Sequence, residues 1–458
     1  MVGRFNRVRL QHIWRTMKKG PTEVGYAFFR ARRRRKNVKD DEPLVTESDE
    51  LALSGVFDAN EALLSANSEL IDAYRRRESL EIRSVVWFLP FFHHVYFGGT
   101  HTVLRFADHL ARQHGVTNSF YCYDVGSAAV PAMARKVAQA FPALAGSQFS
   151  SPQELGPEAL PPVDAAIATL WSGVYLMLRA QNVRARFYFV QDDESQFYPA
   201  GAASALVHET YRLGIPGIVN TPGLADMYRS YGNPAVSFVP AVDRDRYYPD
   251  PDRRASTTDP VRIFFYARPS TARNAFGLGL SALHNLKRFY GPRVELICAG
   301  ENWRPSQFGL DGLVRNLGVL PSLDEVAALY RSCDIGLVFM QTKHPSYQPL
   351  EFMASGMATV SNENPATAWL LRDGENCLLT RPLPTAVAET LGRLVDDPEL
   401  RSRIAAAGLA EVQRYHWDEQ IERVWSAMCL RSDDFIADSP PPTVNPASRA
   451  SFVTDAPA

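Results

Sequence analysis

Short apolar runs alternate along residues 83–428 with longer segments whose apolar residues recur at helical spacing. An apolar run with polar flanks is typical of a buried strand, and a repeat of three and four residues is typical of a helix. In the first half of this region the pattern predicts strands at Ser84–Leu89, Ser119–Tyr123, Ala165–Leu170, Phe187–Gln191, Ile218–Thr221 and Val236–Val239. Helices are predicted near residues 101–113, 130–140, 172–181, 201–213 and 224–230. Such alternation indicates a parallel sheet covered by helices on both faces.

A second series follows a polar segment rich in proline and aspartate, from Pro249 to Pro260. Its strands are predicted near residues 262–267, 294–299, 334–339 and 357–361. Its helices are predicted near residues 277–289, 323–331, 349–355, 384–396 and 399–413, and a last helix from Trp417 to about Met428. Since 458 residues exceed one ordinary domain, we predict an α/β protein with two Rossmann-like parallel-sheet domains.

The domain bounds follow from the same patterns. We expect an N-terminal extension over residues 1–80, first basic and then acidic, and a first domain over residues 81–245. The second domain is expected over residues 246–414. Residues 431–458 contain few large apolar side chains, so a disordered tail is predicted there.

The net charge of −1 conceals an uneven distribution. Residues 1–39 contain thirteen Arg and Lys residues against the single acid Glu23, and apolar residues from Phe5 to Met17 recur at helical spacing. A basic amphipathic segment of this kind favours an anionic membrane surface, although a solvated tail or a nucleic-acid arm would have the same composition. The remaining chain has more acidic than basic residues, which argues against a nucleic-acid-binding protein as a whole.

The five cysteines are widely spaced, with no Cys-x-x-Cys or Cys/His pattern, so the sequence predicts neither a disulfide framework nor a metal site. No apolar run approaches the length of a transmembrane helix, and the N-terminus lacks the apolar core of a signal peptide. We therefore expect a cytoplasmic protein, held at the inner face of the cell membrane if the basic arm binds lipid.

Two motifs in the first domain are candidates for function. Gly98 and Gly99 open a helix directly after the first strand, where a ligand could approach the backbone. Asp192 and Glu194 follow the strand Phe187–Gln191 and could orient sugar hydroxyls or act as a base. A structural alternative is that these acids form an N-cap cluster that complements the dipole of the following helix.

Basic residues mark the second domain. Arg268 and Arg273 flank the loop after its first strand, and Lys343 and Glu351 follow the strand near residues 334–339. Because the carboxyl ends of parallel strands meet at one edge, these side chains are expected to share a cleft. Guanidinium and ammonium groups together at such a site suggest a phosphorylated ligand. Glu351 could accept two hydrogen bonds from a ribose diol.

Four stretches together resemble the family-4 retaining glycosyltransferases of the GT-B fold, in which two Rossmann-like domains face each other across a cleft. They are Gly98–Gly99 with the helix that follows, Val239–Asp243 with Tyr248–Pro249, the pair Arg268 and Arg273, and Leu350–Gly356. The resemblance covers roughly residues 83–428. It implies that the final helix, residues 415–430, crosses back to pack on the first domain.

The resemblance also implies roles for single residues. Arg268 and Arg273 would hold the donor diphosphate, Glu351 would bind the donor ribose, and Gly98–Gly99 would form the N-terminal glycine loop. Further donor-binding positions implied by the matched segments are Glu301, Val319, Leu320, Lys343, Ser346 and Tyr347. Asp192 and Glu194 join Arg268 and Arg273 as candidate catalytic residues.

The runs His344–Tyr347 and Gln191–Glu194 are most similar to bacterial rhamnosyltransferases that build cell-surface glycans. The family commonly has a second Glu eight positions before Glu351, where this chain has Lys343. That departure fits a 6-deoxyhexose donor such as dTDP-rhamnose, or an inactive relative. The expected activity is hexose transfer with retention to a glycan or lipid-linked glycan, without a metal cofactor. The alternatives are a non-catalytic nucleotide-sugar-binding scaffold and a nucleotide-sugar epimerase.

Overall fold

The computed structural model describes residues 57–430, apart from His93, Phe97, Pro345 and the segments 124–126 and 251–259. The basic arm predicted at residues 1–39 and the tail predicted at residues 431–458 lie outside the described residues. Along the described part of the chain, no helix has the length and apolar character needed to cross a membrane.

The first sheet has seven parallel strands in the order β3-β2-β1-β4-β5-β6-β7. They are β1 Ser84–Pro90, β2 Thr117–Tyr123, β3 Gln148–Ser150, β4 Val163–Ala168, β5 Val183–Val190, β6 Gly217–Asn220 and β7 Ala235–Phe238. The register pairs Val86 with Ser119 on one side and with Ala166 on the other. The central strands are buried on both faces, as expected for a parallel sheet between helical layers.

Six helices accompany this sheet. They are α1 Glu61–Arg75, α2 Gly98–His114, α3 Val130–Ala140, α4 Trp171–Arg179, α5 Ala202–Thr210 and α6 Pro222–Arg229. Helix α1 belongs to the domain, because Ile71 and Tyr74 are buried in its two hydrophobic clusters together with Phe57. The expectation that residues 1–80 form a separate extension is therefore wrong for residues 57–80.

The second sheet has six parallel strands in the order β10-β9-β8-β11-β12-β13. They are β8 Val261–Ala267, β9 Val294–Gly300, β10 Arg315–Asn316, β11 Ile335–Val338, β12 Ala358–Asn362 and β13 Leu378–Thr380. Its helices are α7 Phe276–Tyr290, α8 Leu323–Arg331, α9 Gln348–Ala354, α10 Pro384–Asp396 and α11 Pro398–Val412. This strand order is that of a Rossmann sheet, with the direction of strand addition reversing between β8 and β11.

The last helix, α12 Trp417–Cys429, follows the second domain in sequence but packs on the first. Ile421, Val424, Ala427 and Met428 are buried in the cluster that contains Val103, Phe106 and Phe238 of α2 and β7. The Val239 N–H donates to the Gln420 side chain at 2.8 Å, and the Leu80 N–H donates to the Cys429 carbonyl at 2.8 Å. The chain thus crosses between the domains a second time near Tyr415.

Candidate functional site

The carboxyl ends of both sheets open onto one cleft of about 740 Å³. Residues from β1, α2 and the loop after β5 line one side, and residues from the loops after β8, β9 and β11 line the other. The walls meet below the cleft, so neither domain encloses it alone. Its volume lies within the range of about 300–1,000 Å³ typical of small-molecule sites.

Two guanidinium groups stand on the second-domain wall, as the sequence predicts. Arg268 and Arg273 follow β8, and both line the cleft. The Arg268 guanidinium lies 6.0 Å from the Tyr266 ring, and the Arg273 guanidinium lies 4.7 Å from the Phe197 ring of the opposite wall. Burial lowers the pKa of Arg273, although the Asp192 carboxylate opposes this effect. The wall remains a strongly cationic surface.

Glu351 lies in the first turn of α9 and lines the same cleft. Burial raises the pKa of Glu351 to about 7, although the nearby Tyr247 and Tyr330 hydroxyls favour the ionised form. The Tyr247 hydroxyl is buried, and no partner among the described residues forms a hydrogen bond of good distance and angle with it. A carboxyl group beside a buried phenol with spare donor capacity suits recognition of a diol.

Asp192 occupies the junction between the two walls. Its Oδ2 accepts a hydrogen bond from Thr342 Oγ1 at 3.0 Å and lies 3.7 Å from Arg273 Nε, both in the second domain. Burial raises the pKa of Asp192 to about 6, and Arg273 limits the rise. Lys343 pairs with the neighbouring Asp193 at 3.3 Å. Lys343 is not among the residues that line the cleft, and its ammonium faces Asp193, so its contact with a donor stays a prediction.

Glu194 stands at the edge of the cleft, but its carboxylate is tied into the first domain. Its Oε2 accepts hydrogen bonds from the Trp171 N–H at 2.7 Å and from the Tyr188 hydroxyl at 2.8 Å. Burial raises the pKa of Glu194 to about 8. The Trp171 N–H is the first of α4, so the carboxyl group supports a helix start, as the structural alternative proposed, although of a different helix.

Gly98 and Gly99 begin α2 at the mouth of the cleft. A Cβ atom at Gly98 would lie 3.0 Å from Tyr347 Cδ2, so glycine there allows close approach of the opposite wall. At Gly99 the carbonyl accepts a hydrogen bond from Gln191 Nε2 at 3.2 Å. The glycine pair therefore fits Tyr347 and Gln191 against the backbone, in addition to leaving room for a ligand.

Tyr347 joins the two walls through its hydroxyl group. Thr102 Oγ1 donates to the Gly98 carbonyl at 2.8 Å, so the Tyr347 hydroxyl donates to Thr102 Oγ1 at 2.6 Å. Ser346 has a left-handed backbone conformation with φ of 65°, and its N–H donates to His344 Nδ1 at 3.0 Å. Burial lowers the pKa of His344 to about 3, which keeps the ring neutral.

Of the remaining predicted donor-binding positions, two line the cleft and one does not. Val319 and Leu320 line the cleft, and Val319 is half exposed there. Glu301 is absent from the lining, because its carboxylate accepts a hydrogen bond from the Ser270 N–H at 3.0 Å and holds the loop between Arg268 and Arg273. Glu301 thus holds the loop in place, and its direct contact with a donor stays a prediction.

Sequence reasoning missed a second polar group on the first wall. Arg105 Nη2 donates to Asp243 Oδ2 at 2.6 Å, and the guanidinium stacks 5.0 Å from the Trp417 ring. His101, one turn earlier on α2, faces Arg105 at 3.1 Å, and burial lowers its pKa to about 4. The spacing of Gly98, His101 and Arg105 along one helix face was the available signal.

Comparisons with known proteins give partial matches. The family model described as "WsaF, C-terminal domain" matches residues 261–392. The chain is 43% identical over 350 residues to "O-antigen biosynthesis protein RfbC" of Myxococcus xanthus, which covers 76% of this chain and 27% of that protein. It is 28% identical over 229 residues to "Phosphatidyl-myo-inositol mannosyltransferase" of Mycobacterium tuberculosis, covering 46% and 60%. The chain thus spans about a quarter of the first relative and less than two thirds of the second.

Solved structures match over most of the chain. Anabaena Alr3699/HepE in complex with UDP has a TM-score of 0.56 at 14% identity, covering 74% of this chain and 98% of that one. TarM has a TM-score of 0.61 at 8% identity, covering 76% and 99%. With two Rossmann-like sheets facing across a cleft, the predicted fold class is confirmed, and the chain has the GT-B fold.

Proposed function

We propose that the protein is a glycosyltransferase that moves a hexose from a nucleotide diphosphate sugar to a glycan or lipid-linked glycan in the synthesis of a surface polysaccharide. The observation that carries this proposal is the pair Arg268 and Arg273 beside Glu351 on one wall of an interdomain cleft. The printed names of RfbC and the mannosyltransferase support it, as do HepE structures that contain UDP and UDP-glucose.

The charges suit a diphosphate leaving group. Two guanidinium groups provide up to ten N–H donors for phosphate oxygens, and they act in a cleft that is shielded from bulk water. Preorganised donors of this kind stabilise the charge that develops as the sugar departs. We therefore propose a reaction in which Arg268 and Arg273, not a metal cofactor, neutralise the leaving group.

We propose that transfer retains the configuration of the sugar. The bond between the anomeric carbon and the phosphate oxygen breaks, and a bond to the acceptor oxygen forms on the same face. The proton of the acceptor hydroxyl passes to a phosphate oxygen of the departing nucleoside diphosphate. Asp192, which is largely ionised at neutral pH, would accept a hydrogen bond from a hydroxyl of the bound sugar.

For the donor we propose dTDP-rhamnose. The position at which the resembled family has a second Glu is Lys343, whose partner is Asp193. Because the residue at that position is lysine, it provides no carboxylate for a sugar hydroxyl. Phe197 and Met340 in the cleft lining are apolar and would suit the C6 methyl group of a 6-deoxy sugar.

The test is release of nucleoside diphosphate from dTDP-rhamnose, UDP-glucose and GDP-mannose, each with and without a glycan acceptor. The proposal predicts release that depends on acceptor and is fastest with dTDP-rhamnose. Interconversion of the sugar without release of nucleotide would identify an epimerase. Binding of the nucleotide sugar with neither reaction, across a panel of acceptors, would identify a scaffold.

For residues 1–39 we propose contact with an anionic membrane surface, since each basic residue near such a surface contributes about 1 kcal/mol. The full chain should sediment with vesicles that contain phosphatidylglycerol. A variant with Arg32–Lys36 replaced by Gln should sediment less, and equal sedimentation of the two would refute the proposal.

A further inference from the structure

Helices α2 and α12 share a cluster of histidine and carboxylate side chains that has no role in the proposed transfer reaction. His109 and His114 lie in the last two turns of α2, and Asp418 and Glu422 lie one turn apart on α12. His109 Nε2 is 2.7 Å and His114 Nε2 is 2.8 Å from the same oxygen, Glu422 Oε1. One ligand atom from each of His109, His114 and Glu422 lies within 4.8 Å of the others.

The unusual feature of His109 is that both of its ring nitrogens face hydrogen-bond acceptors. Its ring is buried, with 2% of the side chain exposed, and both nitrogens face carboxylate oxygens: Nδ1 lies 3.1 Å from Asp418 Oδ1. A neutral imidazole has one N–H to donate, so it can satisfy one of these acceptors. In a neutral ring the other nitrogen points its lone pair at a carboxylate oxygen, a repulsive contact that either a second proton or a metal ion would remove.

We propose that His109 Nε2, His114 Nε2 and Glu422 Oε1 bind a zinc ion. Two imidazole nitrogens and one carboxylate oxygen form a ligand set typical of zinc, with water as the fourth ligand. His109 then donates its Nδ1–H to Asp418, which is the outer-shell arrangement that fixes the ring of a metal-binding histidine. Both nitrogens of His109 then have a partner of the correct kind, zinc at Nε2 and the Asp418 carboxylate at Nδ1.

The surroundings fit an ion that enters from solvent. His114 is 24% and Glu422 is 43% exposed, so one side of the cluster is open. Trp425 stacks on the His114 ring with centroids 4.6 Å apart, which holds that ring in place. Ligand atoms around a tetrahedral zinc ion are about 3.3 Å apart for bonds of about 2.05 Å. Glu422 Oε1 lies 2.7 and 2.8 Å from the two nitrogens, so this partly exposed side chain would move outward by about 0.5–0.6 Å.

The site would fasten the crossing helix to the first domain. Helix α12 is the second connection between the domains, and its first residue, Trp417, stacks on Arg105 of α2 at the cleft. Glu422 follows His114 by 308 positions in the sequence, so no short spacing pattern reveals the cluster. The inference concerns structure and does not depend on the proposed transfer reaction.

The test is the zinc content of the full chain after equilibration with Zn²⁺ and removal of free metal, together with the thermal midpoint with and without Zn²⁺. The proposal predicts one bound zinc per wild-type chain and a higher midpoint with zinc. His114→Ala and Glu422→Gln change partly exposed residues, so they should fold but lose both responses. Asp418→Asn should weaken zinc binding by about 10- to 100-fold.

His284→Ala removes a histidine on α7, outside the cluster, and is the matched control that should keep both responses. Tetrahedral Co²⁺ absorption in the visible range, present in wild type and lost in Glu422→Gln, would support the same ligands. The proposal is overturned if wild-type protein retains no stoichiometric zinc, or if His114→Ala and Glu422→Gln retain as much as wild type.

Discussion

The two sheets share one scaffold but turn opposite charges toward the cleft. In each sheet, the second and third strands of the domain lie on one side of the first strand, and the fourth strand lies on the other side. The wall of the second sheet offers Arg268 and Arg273, whereas the wall of the first offers Asp192 at the end of β5. Equal topology with unequal loops shows that the chemistry belongs to the strand ends and not to the fold. The second wall suits phosphate and, at Glu351, a diol, and the first wall suits sugar hydroxyl groups.

Two acids of the first wall differ in whether their hydrogen-bond partners come from their own domain. Glu194 is held by Trp171 and Tyr188 of the first domain, but Asp192 obtains partners from Thr342 and Arg273 across the junction. The first wall therefore reaches its described arrangement only when the second is in place. The contacts of Asp192 therefore require both domains.

The largest effect is expected from the cationic wall. Arg273→Ala removes a preorganised donor for the diphosphate, and kcat should fall about 100- to 1,000-fold, roughly 3–4 kcal/mol of transition-state stabilisation. Steady-state release of nucleoside diphosphate measures this. Arg262→Ala is the control, because Arg262 on β8 is exposed and pairs with Glu295 away from the cleft. A few-fold loss in folded Arg273→Ala protein would contradict the assigned role.

The crossing helix α12 allows the stability of the first domain to be tested separately from nucleotide binding at the second wall. Ile421→Ala leaves a cavity in the core of the first domain, and the free energy of unfolding should fall by about 2–5 kcal/mol. Nucleotide binding at the second wall should persist below the unfolding transition. Chemical denaturation and nucleotide titration measure the two properties. Ser426→Ala, an exposed change on the same helix, should leave both unchanged. Equal stability of Ile421→Ala would contradict the packing of α12 on the first domain.

Close approach of the walls is tested at Gly98. Gly98→Ala places a methyl group 3.0 Å from the Tyr347 ring, so the ring or α2 must shift, and overpacking should cost about 1–3 kcal/mol. Gly277→Ala in the first turn of α7 meets open space and should be neutral or stabilising by up to about 1 kcal/mol. Thermal unfolding of both variants makes the comparison. A Gly98→Ala protein as stable as Gly277→Ala would show that the walls stand further apart.

The smallest effect per measured step, a change of one pH unit, concerns the first wall alone. Burial raises the pKa of Glu194 from 4.5 to about 8, so the folded chain holds a proton that the unfolded chain releases. This stabilisation is complete below about pH 4.5 and is lost as the pH rises through about 8. Glu194 should thus lower the free energy of unfolding by up to about 1.4 kcal/mol per pH unit between these values.

Glu194→Gln should flatten that slope, because glutamine does not titrate, whereas exposed Glu389→Gln should leave it unchanged. Urea denaturation at a series of pH values measures it. An unchanged slope in Glu194→Gln would mean that the carboxyl group is ionised in the folded protein.

Much of the fold could be predicted from the sequence, because both sheets have continuous apolar central strands. The strands β3, β10 and β13 were missed, since edge strands of two or three residues carry too little pattern. The membership of α1 in the first domain was missed because its apolar residues, such as Ile71 and Tyr74, lie among many charged ones.

The candidate site was predicted less completely. Arg268, Arg273 and Glu351 follow strands of one sheet, so topology alone brings them together. The partners of Lys343 and Glu301, which are Asp193 and the Ser270 N–H, come from tertiary contacts that sequence spacing does not encode. Arg105 shares a helix face with Gly98 and His101, but its partners Asp243 and Trp417 stand far away in the chain and could not be predicted from that spacing.

The most direct test of the divided cleft is calorimetric titration of dTDP into the wild-type protein, the double variant Arg268→Ala/Arg273→Ala and Asp192→Asn. A matched double variant, Arg262→Ala/Arg315→Ala, removes two exposed arginines that pair with Glu295. We predict that the affinity for dTDP falls at least about 100-fold in the Arg268/Arg273 variant, the equivalent of about 2.7 kcal/mol. Asp192→Asn and the matched variant should stay within a few-fold of wild type. Wild-type affinity in the Arg268/Arg273 variant, or an equal loss in Asp192→Asn, would contradict the assignment of the diphosphate to the cationic wall.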